Sequence, residues 1–223
     1  MTRPFEGIRI IDVTHVLAGP FAAYQLAVLG AEVIKVEHPD DPDQTRDSGT
    51  DRELNRRGMG TSYLTQSSNK RSITLDLKTE AGRNILKRLV QRADILVENY
   101  RPGAFDALGL GYEVMSEINP QLIYCSISAF GQDGPRGDQT AYDHVIQATS
   151  GLMATTGTQE VNPIKFGSPA VDYATGTMGG LRPRQCFVPA RAHRPRPAHR
   201  SGDARRRDDL DELASDGLSA QRR

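Results

Sequence analysis

The 223-residue sequence contains no Trp, only two Cys, 6% aromatic residues and no net charge. It has no apolar run of the roughly 18 residues that a membrane-spanning helix needs. Met1-Thr2-Arg3-Pro4-Phe5-Glu6-Gly7 lacks the apolar stretch and cleavage site of a secretory leader. Cys125 and Cys186 are too few for a disulfide framework or a four-ligand metal site. These absences lead us to expect a reduced, cytoplasmic protein with no membrane partner. No Gly-x-Gly-x-x-Gly follows the first apolar run, so nothing supports a nicotinamide cofactor.

The missing charge is an average of two unlike regions. Residues 1–180 carry 17 Lys and Arg against 22 Asp and Glu, a net of −5. Residues 181–223 carry 11 Arg, no Lys and 6 Asp and Glu, a net of +5. That last region also holds four Pro and six residues from Leu, Val, Ile, Phe and Met. So little apolar surface does not offset the entropy of ordering, and residues 181–223 read as a disordered tail. Arg205-Arg206-Arg207 alone would suit a nucleic-acid arm, but Asp208, Asp209, Asp211 and Glu212 follow and no aromatics interleave. We therefore expect no nucleic-acid partner.

Residues 1–180 alternate strand and helix patterns. Ile8-Arg9-Ile10-Ile11-Asp12-Val13 and Glu32-Val33-Ile34-Lys35-Val36-Glu37 read as strands, with a helix over 21–29 ended by Gly30. Residues 40–61 read as a long surface loop. Further strands are predicted over 72–77, 94–98 and 122–127. Thr79 would cap a helix that buries Ala81, Ile85, Leu86 and Leu89. A short helix is predicted over 112–118, and further helices start near Tyr142 and Tyr173. This alternation implies an α/β fold built on a Rossmann-like parallel sheet.

In such sheets ligands bind beyond the carboxyl ends of the strands. Three turns leave strands here, at residues 14–20, 98–103 and 128–134. The first leads into a helix N-terminus, which offers free N–H groups to an anion. Lys70, Arg71, Lys78 and Arg101 add cations that would suit a phosphate-bearing ligand, or simply a solvated face. Asp172, between Val171 and Tyr173 and flanked by Gly167 and Gly176, has two readings on spacing. It could cap the helix that follows, or serve as a carboxylate nucleophile, and the two roles can coexist.

Several of these segments together resemble the class III CoA-transferases. They are Asp12-Val13-Thr14-His15-Val16-Leu17-Ala18-Gly19-Pro20, Leu29-Gly30-Ala31-Glu32-Val33-Ile34-Lys35-Val36-Glu37 and Asn69-Lys70-Arg71-Ser72-Ile73-Thr74-Leu75-Asp76-Leu77-Lys78. Val97-Glu98-Asn99-Tyr100-Arg101-Pro102-Gly103, Ser128-Ala129-Phe130-Gly131-Gln132-Asp133-Gly134-Pro135 and Tyr142-Asp143 continue the match in order. The resemblance implies transfer of CoA from an acyl-CoA to a carboxylic acid through an aspartyl intermediate, with Asp172 as nucleophile. It implies CoA contacts at Val16, Leu17, Ala18, His38, Leu75, Lys78, Asn99, Tyr100, Arg101 and Tyr142. Coenzyme A and acyl-CoA enter as substrates, with no permanently bound cofactor and no metal.

His38 stands where relatives often carry Arg, and Ala107 and Thr140 stand at positions that are basic in some relatives. A racemase branch of the same superfamily carries His where this chain has Tyr142, and His144 is displaced by two positions. Transfer is therefore expected over racemisation. Relatives are longer chains that form interlocked homodimers. The match stops at Gly179-Gly180, where Leu181-Arg182-Pro183-Arg184 replaces an apolar helix. Shifting plausible codons for residues 181–223 by one base restores a Thr-Gly-Arg-Gly-Gln segment and an amphipathic stretch. The expectation is a family domain over residues 1–180 and an out-of-frame tail over residues 181–223.

Overall fold

In the computed structural model, residues 3–191 are described, with side-chain surroundings for residues 3–180. The β-branched segments form β1 (Arg9–Asp12), β2 (Glu32–Glu37), β3 (Arg71–Thr74), β4 (Ile95–Glu98) and β5 (Ile123–Ser126). All pair in parallel, in the order β3-β2-β1-β4-β5. Parallel neighbours need crossovers, and helices supply them. They are α1 (Ala18–Val28) after β1, α2 (Arg52–Arg56) and α3 (Thr61–Ser67) after β2, and α4 (Glu80–Val90) after β3. Then come α5 (Ala104–Ala107) and α6 (Tyr112–Ile118) after β4, and α7 (Asp143–Thr149) and α8 (Ala170–Arg191) beyond the sheet. The expected α/β fold with a Rossmann-like parallel sheet is the one observed.

Successive strand residues face opposite sides of the sheet, and both sides are covered. Ile10, Val33, Ile95 and Val97 pack with Ala23, Leu26 and Ala27 of α1. Ile11, Ile34, Val36 and Leu96 pack on the other side with Leu86, Leu89 and Val90 of α4 and Met115 of α6. Thr79 caps α4 as expected, its Oγ1 accepting the Gly82 N–H at 3.1 Å. Ala81, however, is exposed. Gly82 is buried in its place, because a Cβ there would come within 2.0 Å of the Asp76 carbonyl.

Residues 40–61 are not a plain surface loop. They hold a 3-10 turn at Gln44–Asp47 and all of α2, and Asp43 and Thr45 are buried. The cause is a set of charges on β1 and β2 that the parallel sheet takes out of water. Asp12, Lys35, Glu37 and Asp43 are each at most 2% exposed. Each has an opposite partner: Lys70 Nζ lies 2.8 Å from Asp12, Lys35 Nζ 3.4 Å from Asp43, and Arg46 2.6 Å from Glu37. Burial opposes ionisation of Asp12, but Lys70 and Lys35 outweigh it and hold its carboxyl down at about 2.

α8 lies along α1. Gly176 faces the Ala18 carbonyl, which a Cβ would approach to 2.7 Å, and Gly179 and Gly180 lie over Ala22. Tyr173 meets Phe21 edge-on at 4.8 Å between ring centroids. The division expected at residue 180 falls inside α8. The expected tail beyond Arg191, Arg205-Arg206-Arg207 included, lies outside the described residues.

Removing one member of a buried ion pair strands the other. Lys35→Met is therefore expected to lower stability by about 3–5 kcal/mol in urea unfolding. Adding Asp43→Leu should recover part of that loss. A single variant as stable as the parent would show that the Lys35 charge is not needed.

Candidate active site

The strand order reverses between β1 and β4, so the connections that leave their carboxyl ends diverge and open a crevice. The turn after β1 runs from Val13 to Leu17, and the turn after β4 from Asn99 to Gly103. Asn99 joins them: its Oδ1 accepts the His15 N–H and its Nδ2 donates to the His15 carbonyl, both at 2.8 Å. The Asn99 amide is thus spent on holding the two turns together. Tyr100 adds a contact of 3.4 Å between its hydroxyl and His15 Nε2. Burial, and then the Lys35 charge, push the His15 imidazole below its usual value, so it is neutral at pH 7.

Val16 takes φ +71°, a left-handed conformation that branched side chains avoid. Its N–H donates to both oxygens of Asp43, at 3.2 and 3.1 Å. Leu17 is buried, and Ala18 opens α1. Gly19 is required there, because a Cβ would lie 2.5 Å from the Thr14 side chain.

A cavity of about 240 Å³ sits at this crevice, lined by Ala18, Asn99, Tyr100, Arg101, Thr140 and Asp172, among others. Asp172 arrives from the first turn of α8. It is not the cap of that helix, which begins at Ala170. Asp143 of α7 does the capping instead: its Oδ1 accepts the N–H groups of Val171 at 2.8 Å and Asp172 at 3.2 Å. Asp143 Oδ2 takes the Gln147 amide, and Gln147 Oε1 accepts the Phe166 N–H at 2.8 Å. This arrangement aims Asp172 at the cavity. Among the described residues, no donor reaches the Asp172 carboxyl. Burial, and then the negative charge of Asp143, push it up to about 6.

The remaining predicted residues divide. Arg101 is exposed and lines the cavity. Leu75 is 5% exposed, with its side chain inside the core, and is absent from the cavity lining. Lys78 is exposed at the end of β3. His38 lies beyond β2, its Nδ1 accepting the N–H groups of Asp40 and Asp41 and its Nε2 3.4 Å from Asp76. Tyr142 points away: it is 59% exposed, stacks on His144 and is absent from the cavity lining. As the residue before α7, it accepts the Val145 and Ile146 N–H groups on its carbonyl. Lys70 is no free cation, being buried on Asp12 and donating to the Pro20 carbonyl. Ala107 is exposed on α5, outside the lining.

The sequence profile of CoA-transferase family III matches residues 5–181. The chain belongs to that family. Human succinyl-CoA:glutarate CoA-transferase is 47% identical over 177 residues, which cover 78% of this chain and 39% of that protein. A formyl-CoA:oxalate CoA-transferase of Streptomyces avermitilis is 46% identical over 177 residues, covering 79% of this chain and 42% of its own length. A CaiB/BaiF family protein from Brucella suis has a crystal structure that superposes with a TM-score of 0.79 at 38% identity. It covers 86% of this chain and 51% of that one. The chain thus spans about two fifths of the length of the curated family III relatives it matches.

Three side chains of this family III site escaped sequence reading: Lys35, Asp43 and Asp143. Lys35 and Glu37 left a signal, since charges at alternate positions of an internal parallel strand require buried partners. Asp143 fell within a matched segment, but its contact with α8 left no signal because it is set by the fold.

The Asp172 carboxyl should titrate near pH 6, and Asp143→Asn should move that midpoint down, as followed by NMR of the Asp172 side chain. An unmoved midpoint would remove the like charge as a cause. With its folded value above its unfolded value, Asp172 costs stability as pH rises from about 4 to about 6. Asp172→Asn should therefore stabilise the fold at pH 7.5, by about 1 kcal/mol after discounting for its half-exposed position, and not at pH 4.

Proposed function

We propose that this chain carries the nucleophile and the CoA-binding turns of a CoA-transferase that moves CoA from an acyl-CoA to a carboxylic acid. The observation that carries the reading is the Asp172 carboxyl, turned into the cavity between the β1 and β4 turns with no donor among the described residues to quench it. An oxygen of ionised Asp172 attacks the thioester carbonyl, and the C–S bond breaks to give an aspartyl mixed anhydride and CoA thiolate. The thiolate then attacks the aspartyl carbonyl, releasing the donor acid and leaving CoA on Asp172. The acceptor carboxylate and CoA exchange through the same two intermediates in reverse, which regenerates Asp172.

Several residues support these steps. Arg101 and the first N–H groups of α1 offer positive potential at the crevice. Lys78, exposed beyond β3, adds a further cation that suits a phosphate-bearing adenosine. The raised pKa of Asp172 makes its ionised form the more basic and the more reactive once the thioester carbonyl is against it. The acceptors in the relatives' names are glutarate, oxalate and malate. A dicarboxylic acid is the acceptor class those names support.

Exchange of label between an acyl-CoA and a free carboxylic acid tests the reading. Asp172→Ala should reduce exchange by about 1000-fold or more, and hydroxylamine should trap the parent protein but not the variant. The parent's exchange rate should rise with pH through about 6. Equal background in both proteins, with CoA still bound, would reduce the reading to binding alone.

A further inference from the structure

We propose that Asp43 is a positioning residue, which holds the turn after β1 in the conformation that receives coenzyme A. The inference rests on the functional reading of that turn given above. Val16 is β-branched and sits at φ +71°, so the turn needs an interaction that offsets the strain. Asp43 supplies it by accepting the Val16 N–H on both carboxylate oxygens, at 3.2 and 3.1 Å.

The carboxylate is itself fixed. It is 1% exposed, accepts the Thr45 N–H at 3.0 Å and the Thr45 hydroxyl at 2.7 Å, and lies 3.4 Å from Lys35 Nζ. Lys35 in turn donates to the Thr14 carbonyl, and Asn99 takes both main-chain groups of His15. Consecutive polar groups of residues 14–16 are therefore held before any ligand arrives. Ala18, two residues on, lines the cavity. Relaxing Val16 to negative φ would rotate that lining away. Binding would then bear the cost of restoring it.

Four proteins test this: the parent, Asp43→Asn, Val16→Gly and the double variant. Glycine takes φ +71° without strain, so Asp43 has nothing to offset in the Val16→Gly background. Asp43→Asn should weaken coenzyme A binding by about tenfold in the Val16 background, measured by calorimetry, and by less than about twofold in the Val16→Gly background. Hydrogen exchange of the peptide containing residues 14–18, without ligand, should show the same coupling. Equal losses in both backgrounds, or no loss in either, would overturn the proposal. Should Asp43→Asn fail to fold, Thr45→Val frees the carboxylate more mildly and reads the same coupling. A parent that does not bind coenzyme A would defeat the functional reading alone, since the exchange data would still decide the role of Asp43.

Discussion

A lysine ammonium buried in the middle of a parallel sheet is the constraint from which much of this structure follows. Lys35 sits on β2 beside Asp12 of β1, with no access to water. Such a group survives only among acceptors, and its acceptors come from two places, the Thr14 carbonyl in the turn after β1 and the Asp43 carboxylate in the segment after β2, with the Asp12 charge of β1 beside them. Satisfying Lys35 draws residues 40–47 inward and fixes the first turn of the crevice. The polar cluster thus stabilises the sheet and also shapes the turn that borders the crevice.

Asp172 has the opposite environment. The buried charges of β1 and β2 are matched, whereas the Asp172 carboxyl faces a like charge and finds no donor among the described residues. Stability and reactivity are separated in space by less than the width of the fold. Asp143 connects them: capping α8 stabilises the helix, and the same negative charge raises the Asp172 pKa. A residue that satisfies backbone donors therefore also raises the pKa of its neighbour.

Much of the sheet was legible in the sequence, because β-branched runs such as Ile8 to Val13 and Glu32 to Glu37 have one local solution. The crevice was legible as well, through the turns at residues 14–20 and 98–103. Geometry among distant segments was not. A helix cap was one of the two readings of Asp172, because a capping residue and a first-turn residue look alike until the start of the helix is known. Residues 40–61 read as a loop because their polar composition hides the pull of Lys35. Tyr142 matched a motif, yet its ring turns outward. Leu75 matched one too, yet its side chain serves the core.

The docking of α8 on α1 through Gly176 carries a consequence for how the protein is made. All five strands lie before Ile127, and helix α1 is in place from the start, whereas Asp172 comes from the last described element. Synthesis runs from the N-terminus, so a nascent chain can form the five described strands and the turns of the crevice while Asp172 is still unmade. Docking along the glycine seam then follows. The Asp172 carboxylate is withheld from the growing chain until the described scaffold that positions it already stands.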